Sequence, residues 1–264
     1  MQARPVKALL AGRPGTGKTA AVASLVKAGF EVFVIDLDNN LRSLSAMLEP
    51  AERKRVRAVT LTDARKAGAS PGVMGFDGSP SSFPKALRLL TRWKEGDQDF
   101  GEPSEWGPNR VIVIDSISRL GDYAMNHVII NNKGNLIQPA QQHWLFAQRQ
   151  MEDLVSMLNS DEFNCNVLAL CHIKSIEEKG DDGKVTAARE LPMGVGTAGS
   201  EKLGSFWDTI IQAERSGVGG SIKYELWVKP PGLLETKLPV ITPDRKFPNT
   251  ELHKIFELLG VKPS

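Results

Sequence analysis

Short apolar runs alternate with polar segments over the first forty residues, in a pattern typical of a strand, a helix and a second strand. Residues 6–11 and 31–35 are mostly apolar, and each run predicts a buried strand. Between them, a glycine-rich turn leads into a predicted helix from about residue 18 to residue 28, which Gly29 would end. This order predicts a βαβ unit with a parallel sheet.

The rest of the chain continues the alternation. Helical spacing of apolar residues predicts helices at residues 41–57, 83–93, 139–158, 200–206 and 249–259. Apolar runs predict strands at residues 110–115, 166–171, 209–213 and 224–229, the last one antiparallel to its neighbours. Three segments lack clear periodicity and are expected to be irregular, with a hairpin turn in the third: 66–82, 95–109 and 177–200.

These elements predict an α/β fold with a mostly parallel central sheet, flanking helices and late antiparallel strands. No internal repeat and no linker divides the chain. We therefore expect one domain over residues 1–264, with a core at about 5–240 and a C-terminal helical tail at about 249–264.

Composition narrows the class of protein without indicating a partner. Of the 264 residues, 41% are hydrophobic and 24% are charged, which excludes a mainly disordered chain, a collagen-like repeat and a disulfide scaffold. The net charge of +2 neither requires nor excludes nucleic acid. We interpret Cys165 and Cys171 as reduced, buried thiols. No run approaches the ~18 apolar residues of a membrane span, and the N-terminus does not resemble a signal peptide, so we expect a cytoplasmic protein without a membrane partner.

The segment Gly12-Arg-Pro-Gly-Thr-Gly-Lys-Thr19 matches G-x-x-x-x-G-K-[ST] and lies between the first predicted strand and helix. Glycines let backbone N–H groups surround phosphate oxygens, and the helix N-terminus adds its positive end. The lysine reaches the β- and γ-phosphates, and the hydroxyl after it can ligate Mg²⁺. We predict that ATP and Mg²⁺ are bound here by Gly12, Arg13, Pro14, Gly15, Thr16, Gly17, Lys18, Thr19 and Ala20.

A second acidic position supports this site. Asp115 ends the apolar run Val111-Ile-Val-Ile-Asp115, about a hundred residues after the phosphate loop. A carboxylate at the end of such a strand can hold Mg²⁺ beside the loop, directly or through water. Helix capping by Asp115 and Ser116 is the alternative. We predict that Thr19 and Asp115 are the metal-binding residues.

The sequence resembles RecA-like P-loop ATPases in four segments that occur in order: Gly12–Thr19, residues 32–38, residues 111–118 and residues 167–172. Within that class it looks most similar to the compact RecA-core nucleotide-binding proteins of bacteriophages, a group that includes single-strand annealing recombinases. The similarity covers about residues 5–240. It implies a RecA-like P-loop NTPase fold and an ATPase activity, which the altered residue described next would slow.

The resemblance implies roles for further residues. A glutamate that activates water usually follows the second strand, and Asp38 occupies that position; its shorter side chain could slow hydrolysis about 100-fold. Asp36 is the neighbouring candidate, and a helix cap is the alternative role for Asp38. His172 matches the residue that senses the γ-phosphate, with a structural histidine as the alternative. Late lysines can act across a subunit interface, so Lys229 and Lys237 are catalytic candidates, ahead of Arg245.

In this family, loops after the sheet strands line the DNA path. The first such loop is expected at residues 126–142 and the second at residues 174–202. Their amide and basic side chains suit contacts with sugars, bases and phosphates, and the candidates are Asn132, Lys133, Lys174, Lys184 and Arg189. Acidic residues nearly cancel the charge of the second loop, so a solvated loop remains the alternative.

The resemblance therefore implies an ATPase that forms a ring or filament and acts on single-stranded DNA in recombination, annealing or replication, with a single-strand-binding protein as a further partner. Asp38 favours an alternative in which ATP binding organises an assembly and hydrolysis is slow. A small-molecule kinase is a weaker alternative, because the chain lacks an obvious arginine-rich lid. An AAA+ motor would need a helical C-terminal lid, and residues 208–264 are too short and too strand-rich for one.

Overall fold

Strands and helices alternate along the chain, and the computed structural model describes residues 4–67, 74–132, 139–179, 185–229 and 232–263. The strands are β1 (Lys7–Gly12), β2 (Glu31–Asp36), β3 (Val56–Thr60), β4 (Arg65–Ala67), β5 (Met74–Phe76), β6 (Trp93–Glu95), β7 (Gln98–Gly101), β8 (Gly107–Asp115), β9 (Cys165–Cys171), β10 (Ile173–Lys179), β11 (Val185–Pro192), β12 (Thr209–Ser216), β13 (Lys223–Trp227) and β14 (Lys246–Pro248). The α-helices are α1 (Lys18–Ala21), α2 (Ala23–Ala28), α3 (Leu41–Ala46), α4 (Pro50–Arg53), α5 (Ser82–Thr91), α6 (Ile117–Asn131), α7 (Gln141–Asn159), α8 (Gly196–Leu203) and α9 (Leu252–Leu258).

The central sheet has the strand order β14-β13-β12-β1-β9-β8-β2-β3. The pairs from β12 to β3 are parallel, whereas β12–β13 and β13–β14 are antiparallel. The predicted fold class, including its late antiparallel strands, is confirmed. Because β1, β9, β8 and β2 run in the same direction, their carboxyl ends meet at one edge of the sheet.

Apolar side chains alternate between the two faces of the sheet, as the pleat requires. On β8, Ile112 and Ile114 join a core that includes residues of α5, α6 and α7. Val111 and Val113 join a second core, which includes residues of α1, α2 and α9. Helices therefore cover both faces, which explains why these strands are apolar without interruption.

Two segments differ from the sequence-based prediction in the first half of the chain. The helix predicted at 41–57 is divided into α3 and α4, because Pro50 begins a new helix, and β3 follows at Val56–Thr60. The segments expected to be irregular at 66–82 and 95–109 contain the two small antiparallel pairs β4–β5 and β6–β7.

Both segments predicted as DNA-binding loops are also more regular than expected. Residues 126–131 belong to α6, which begins after Ser116, whose hydroxyl accepts a hydrogen bond from the Arg119 N–H. In the described part of residues 174–202, β10 and β11 form an antiparallel pair, which we call the hairpin, and α8 follows. Lys174 and Arg189 therefore lie on strands, and the prediction of open loops there was wrong.

Candidate functional site

The phosphate loop connects β1 to α1 at the carboxyl edge of the sheet. Gly15 and Gly17 have φ angles of +76° and +81°, which favour glycine. A Cβ atom on Gly12 would lie 2.5 Å from the carbonyl oxygen of Ala213, so a side chain is excluded there. A Cβ atom on Gly15 would have no neighbour within 4 Å. The loop thus packs tightly on β12 at its start and is open at its tip, a shape that suits a phosphate ligand.

Lys18 lies inside the loop, with only 7% of its surface exposed. Its ammonium donates hydrogen bonds to the carbonyl oxygens of Gly12 at 2.8 Å and Arg13 at 3.0 Å. Burial lowers the pKa of Lys18, although nearby acidic groups act in the opposite direction. The Thr16 hydroxyl donates to the same Arg13 carbonyl at 2.8 Å. These bonds hold the ammonium where phosphate oxygens would meet the loop.

Thr19 and Asp115 are brought together, as predicted from their order in the sequence. The Thr19 hydroxyl donates to Oδ2 of Asp115 at 2.7 Å. Burial, together with the charges of Asp38 and Asp36, raises the pKa of Asp115 to about 6, although the hydrogen bond from Thr19 and the charge of Lys18 act in the opposite direction. A cation beside this carboxylate would favour its ionised form.

These two residues fit Mg²⁺, which needs few protein ligands when phosphate oxygens and water complete its shell. Within the described residues, no group of three or more His, Cys, Asp or Glu side chains could hold a metal ion by itself.

Asp38 lies beside this pair and is held by three side chains. Its Oδ1 accepts from Nε of Arg119 at 3.2 Å, and its Oδ2 lies 3.5 Å from Nε2 of His172. Burial acts to raise the pKa of Asp38, but hydrogen bonds from His172, Ser116 and Arg119 outweigh it and lower the pKa to about 2. Asp38 is therefore an ionised carboxylate whose orientation is fixed.

Asp36 has a different place, although it is only two residues away. It is buried, and its carboxylate accepts from the Asn40 N–H at 3.1 Å and from the Thr60 hydroxyl at 3.2 Å. Asp36 thus supports the start of α3 and the neighbouring strand β3. The N-cap residue of α3 is Asn40, so the capping role considered for Asp38 is not what the structure shows.

The segment Ile114-Asp-Ser-Ile-Ser118 spans the end of β8 and the start of α6, and Ser118 contacts the residue that follows β9. The Ser118 hydroxyl accepts from the His172 N–H at 3.0 Å and donates to the Met193 carbonyl at 2.9 Å. Together with the Asp38 contact, this bond fixes His172 at the carboxyl edge of the sheet. Arg119 forms ion pairs with both Asp38 and Asp122. The sequence analysis did not identify Arg119, although its position one helical turn after Ser116 could have indicated it.

The late lysines have acceptors within their own chain. Lys229 donates to the carbonyl of Thr242, and Lys237 donates to the carbonyl of Gly204 at 3.0 Å. Two other late residues approach the phosphate loop instead. A Cβ atom on Gly17 would lie 2.8 Å from Nδ2 of Asn249 and 3.0 Å from Cδ1 of Tyr224. Sequence reasoning missed both: Tyr224 lies on the antiparallel strand β13, and Asn249 follows β14.

The candidates for nucleic-acid contacts are dispersed. Asn132 ends α6, where its amide donates to the Val128 carbonyl at 2.8 Å. Lys174 donates to the Thr197 hydroxyl at 3.4 Å, and Arg189 pairs with Glu201 at 2.7 Å. Lys133 and Lys184 lie outside the described residues.

Asn132 also lines a cleft of about 310 Å³ between α6 and α7. We call it the α6–α7 cleft, and its lining residues are His127, Val128, Asn131, Asn132, Phe146, Arg149 and Gln150. Phe146 is half exposed. The cleft therefore combines amide, aromatic and guanidinium groups on an accessible surface.

A family profile described as an AAA domain matches residues 4–239, so the chain belongs to this family of P-loop ATPase domains. In its described part, the region after residue 208 contains β12, β13, β14 and α9 and has no helical lid. No curated protein is significantly similar in sequence. None of the helices in the described ranges has the length and apolar character needed to cross a membrane.

Solved structures similar to this chain share little sequence with it. They include an ATPase from the type III secretion system of pathogenic bacteria, at 13% identity and a TM-score of 0.45, with 80% of this chain and 51% of that chain covered. A KaiC-like protein from Pyrococcus horikoshii OT3 has 13% identity and a TM-score of 0.44, with 93% and 85% covered. The flagellar accessory protein FlaH from Methanocaldococcus jannaschii has 10% identity and a TM-score of 0.41, with 93% and 84% covered. The chain spans about half the length of the secretion ATPase.

Proposed function

We propose that this chain is a single-domain ATPase that binds ATP and Mg²⁺ at the phosphate loop and acts on single-stranded DNA as a ring or filament. The observation that carries the proposal is the 2.7 Å hydrogen bond between Thr19 and Asp115, next to the buried ammonium of Lys18. Hydroxyl, carboxylate and ammonium are the groups that a P-loop site uses to hold a metal-bound triphosphate.

The residues of the site divide into binding and reacting groups. Backbone N–H groups of Gly12–Thr19 and the ammonium of Lys18 would hold the phosphates, and Thr19 and Asp115 would hold Mg²⁺. When bound, the metal neutralises charge on the phosphate oxygens. Asp38 would orient the attacking water, with Arg119 and His172 fixing its carboxylate.

The nucleotide base and ribose need a surface beyond the phosphate loop. Tyr224 and Asn249 lie next to Gly17, and Tyr224 is partly exposed. An aromatic ring and an amide can stack on a base and hydrogen bond to its edge. We assign these two side chains to the non-phosphate part of the nucleotide.

The α6–α7 cleft supports the single-stranded DNA part of the proposal. Proteins bind single strands by stacking bases on aromatic rings, with basic groups on phosphates and amides on base edges. Phe146, Arg149 and Asn132 offer these three kinds of group in one cleft. A role in recombination or annealing, a phage-type origin, a cytoplasmic location and a single-strand-binding protein as partner belong to the same hypothesis.

The proposed subunit contacts give Lys229 and Lys237 a role across an interface. Each ammonium now donates to a carbonyl of its own chain. To reach a neighbour's γ-phosphate, either lysine would have to leave that carbonyl. Their removal should therefore lower turnover in the assembled protein and leave ATP binding by the isolated chain unchanged.

A second function is favoured by Asp38, whose side chain is one methylene shorter than the expected glutamate. Because Arg119 and His172 hold its carboxylate, Asp38 has little freedom to compensate for that length. In this alternative, ATP binding organises an assembly and hydrolysis is slow.

Steady-state ATP hydrolysis with Mg²⁺, measured with and without an oligothymidylate, distinguishes these functions. We expect wild-type turnover above that of Lys18→Ala, and several-fold stimulation by the single strand. ATP binding with turnover that the oligonucleotide does not change would favour the assembly function. Full turnover by Lys18→Ala would contradict the site.

A further inference from the structure

An ion pair attaches the hairpin β10–β11 to the phosphate loop. Oε1 of Glu190, on β11, lies 2.8 Å from the Arg13 guanidinium, on the phosphate loop. The side chain of Glu190 is 9% exposed, whereas that of Arg13 is 66% exposed. The charge of the buried Glu190 carboxylate is therefore balanced by a guanidinium that is itself largely exposed to solvent.

The charged groups around this pair are few. Among the described residues, the cation that forms an ion pair with Glu190 is Arg13. The other charged group acting on Arg13 is Glu214, which accepts a hydrogen bond from Gln212 at 2.8 Å. The Glu190 N–H also donates to the Leu233 carbonyl at 3.3 Å, so the strand is held there by its backbone as well.

We propose that Glu190 and the phosphate groups of the nucleotide compete for the guanidinium of Arg13. Glu190 then acts as a positioning residue: it holds Arg13 against the hairpin when phosphate is absent and releases it when phosphate binds. This inference rests on the proposed nucleotide binding, and it adds a defined connection between that site and residues 173–192.

The physical reason is the cost of a buried charge without a partner. A carboxylate that loses its counter-ion in a buried position is strongly destabilised, so β11 is expected to move toward solvent when Arg13 leaves. Linkage requires the reverse effect as well: a change that removes Glu190 as the competitor for Arg13 must strengthen phosphate binding by the factor by which phosphate weakens the pair. Arg13 is exposed enough to move between the two anions.

The first test is a double-mutant cycle on the affinity for a non-hydrolysable ATP analogue with Mg²⁺. Glu190→Gln keeps the shape of the side chain and removes its charge, so we expect about fivefold tighter binding. Arg13→Gln should weaken binding, and adding Glu190→Gln to it should change nothing further. Equal effects of Glu190→Gln with and without Arg13, or weaker binding by Glu190→Gln, would overturn the proposal.

A matched control lies elsewhere in the central sheet. Arg110, on β8, and Glu31, on β2, form a 2.8 Å ion pair that involves neither the phosphate loop nor β10–β11. Glu31→Gln should leave the affinity unchanged. Circular dichroism and thermal unfolding of every variant exclude loss of fold as the cause of any change.

The second test is amide hydrogen exchange of the hairpin. In the wild type, the analogue should increase exchange in residues 173–179 and 185–192. In Glu190→Gln, which has no buried charge to lose its partner, exchange should not respond to the analogue. Tripolyphosphate is the second probe, since competition requires only the phosphate anions. A response to tripolyphosphate without ATP hydrolysis would retain this inference and reject the proposed function. Exchange unaffected by both probes would overturn the inference.

Discussion

The phosphate-loop site and the α6–α7 cleft are built in opposite ways. At the phosphate loop, Lys18 and Asp115 are buried, and each has a hydrogen-bond partner at 2.8 Å or less. In the cleft, Phe146 is half exposed and Asn132 is bonded mainly to its own helix. The first region has the fixed, desolvated charges that phosphate chemistry needs. The second offers an adaptable surface, which suits a flexible polymer.

The difference shows what each region requires of its sequence. Burying charged groups is costly unless every group has a partner, so the spacing of residues at the phosphate loop is tightly restricted. An exposed cleft imposes few such restrictions, and many sequences would form one. Substitutions should therefore have large effects at the first region and graded effects at the second.

The largest effect on turnover is expected from Asp115→Asn. The amide keeps an acceptor for the Thr19 hydroxyl but removes the charge that would hold Mg²⁺, so steady-state ATP hydrolysis should fall about 100-fold or more. ATP binding without Mg²⁺ should be nearly unchanged. Turnover equal to the wild type, at saturating Mg²⁺, would remove Asp115 from the site.

Asp38 and Asp36 offer a sharper comparison within one segment. Asp38→Ala should reduce turnover about 100-fold, as expected for loss of a group that positions or deprotonates water, with ATP affinity retained. Asp36→Ala should instead lower the free energy of unfolding by about 1–3 kcal/mol, because it removes two hydrogen bonds to a buried carboxylate.

Parallel measurements of turnover and chemical denaturation on both variants check this assignment. If Asp36→Ala lost turnover while unfolding like the wild type, the two aspartates would have been assigned the wrong way round. Similar losses of turnover and stability in both variants would show that the segment acts as a unit.

The smallest effect is expected in the α6–α7 cleft. Phe146→Ala should weaken binding of a fluorescent oligothymidylate about fivefold, because one base loses its stacking partner. Leu145→Ala is the matched control, since Leu145 is exposed on the same helix but does not line the cleft. Equal affinities for all three proteins in an anisotropy titration would exclude the cleft from the DNA path.

Elements of the fold were predictable where the local pattern of apolar residues matches their burial in the folded structure. Apolar runs identified β1, β2, β8 and β9, because strands buried on both faces have little choice of residue. The division of residues 41–57 into α3, α4 and β3 was not found, because an edge strand with one partly exposed face resembles an amphipathic helix over so few residues.

The candidate site was likewise predictable only in part. The G-x-x-x-x-G-K-[ST] pattern predicted the phosphate loop and its proximity to Asp115, because the spacing of residues in this pattern reflects one backbone geometry. Arg13–Glu190 and Arg119–Asp38 were not predictable as pairs: their members are separated by 177 and 81 residues, and only the packed structure brings them together. The approach of Tyr224 and Asn249 to the phosphate loop was unpredictable for the same reason.

Calorimetric titration of ATP with Mg²⁺ into wild type, Lys18→Ala and Lys27→Ala tests the central claim most directly. Lys27 is an exposed lysine on α2, which controls for the loss of one charge. We predict one ATP per chain, affinity reduced at least about 100-fold in Lys18→Ala, and no change in Lys27→Ala. Wild-type affinity in Lys18→Ala would contradict the assignment of the phosphate loop as the nucleotide site.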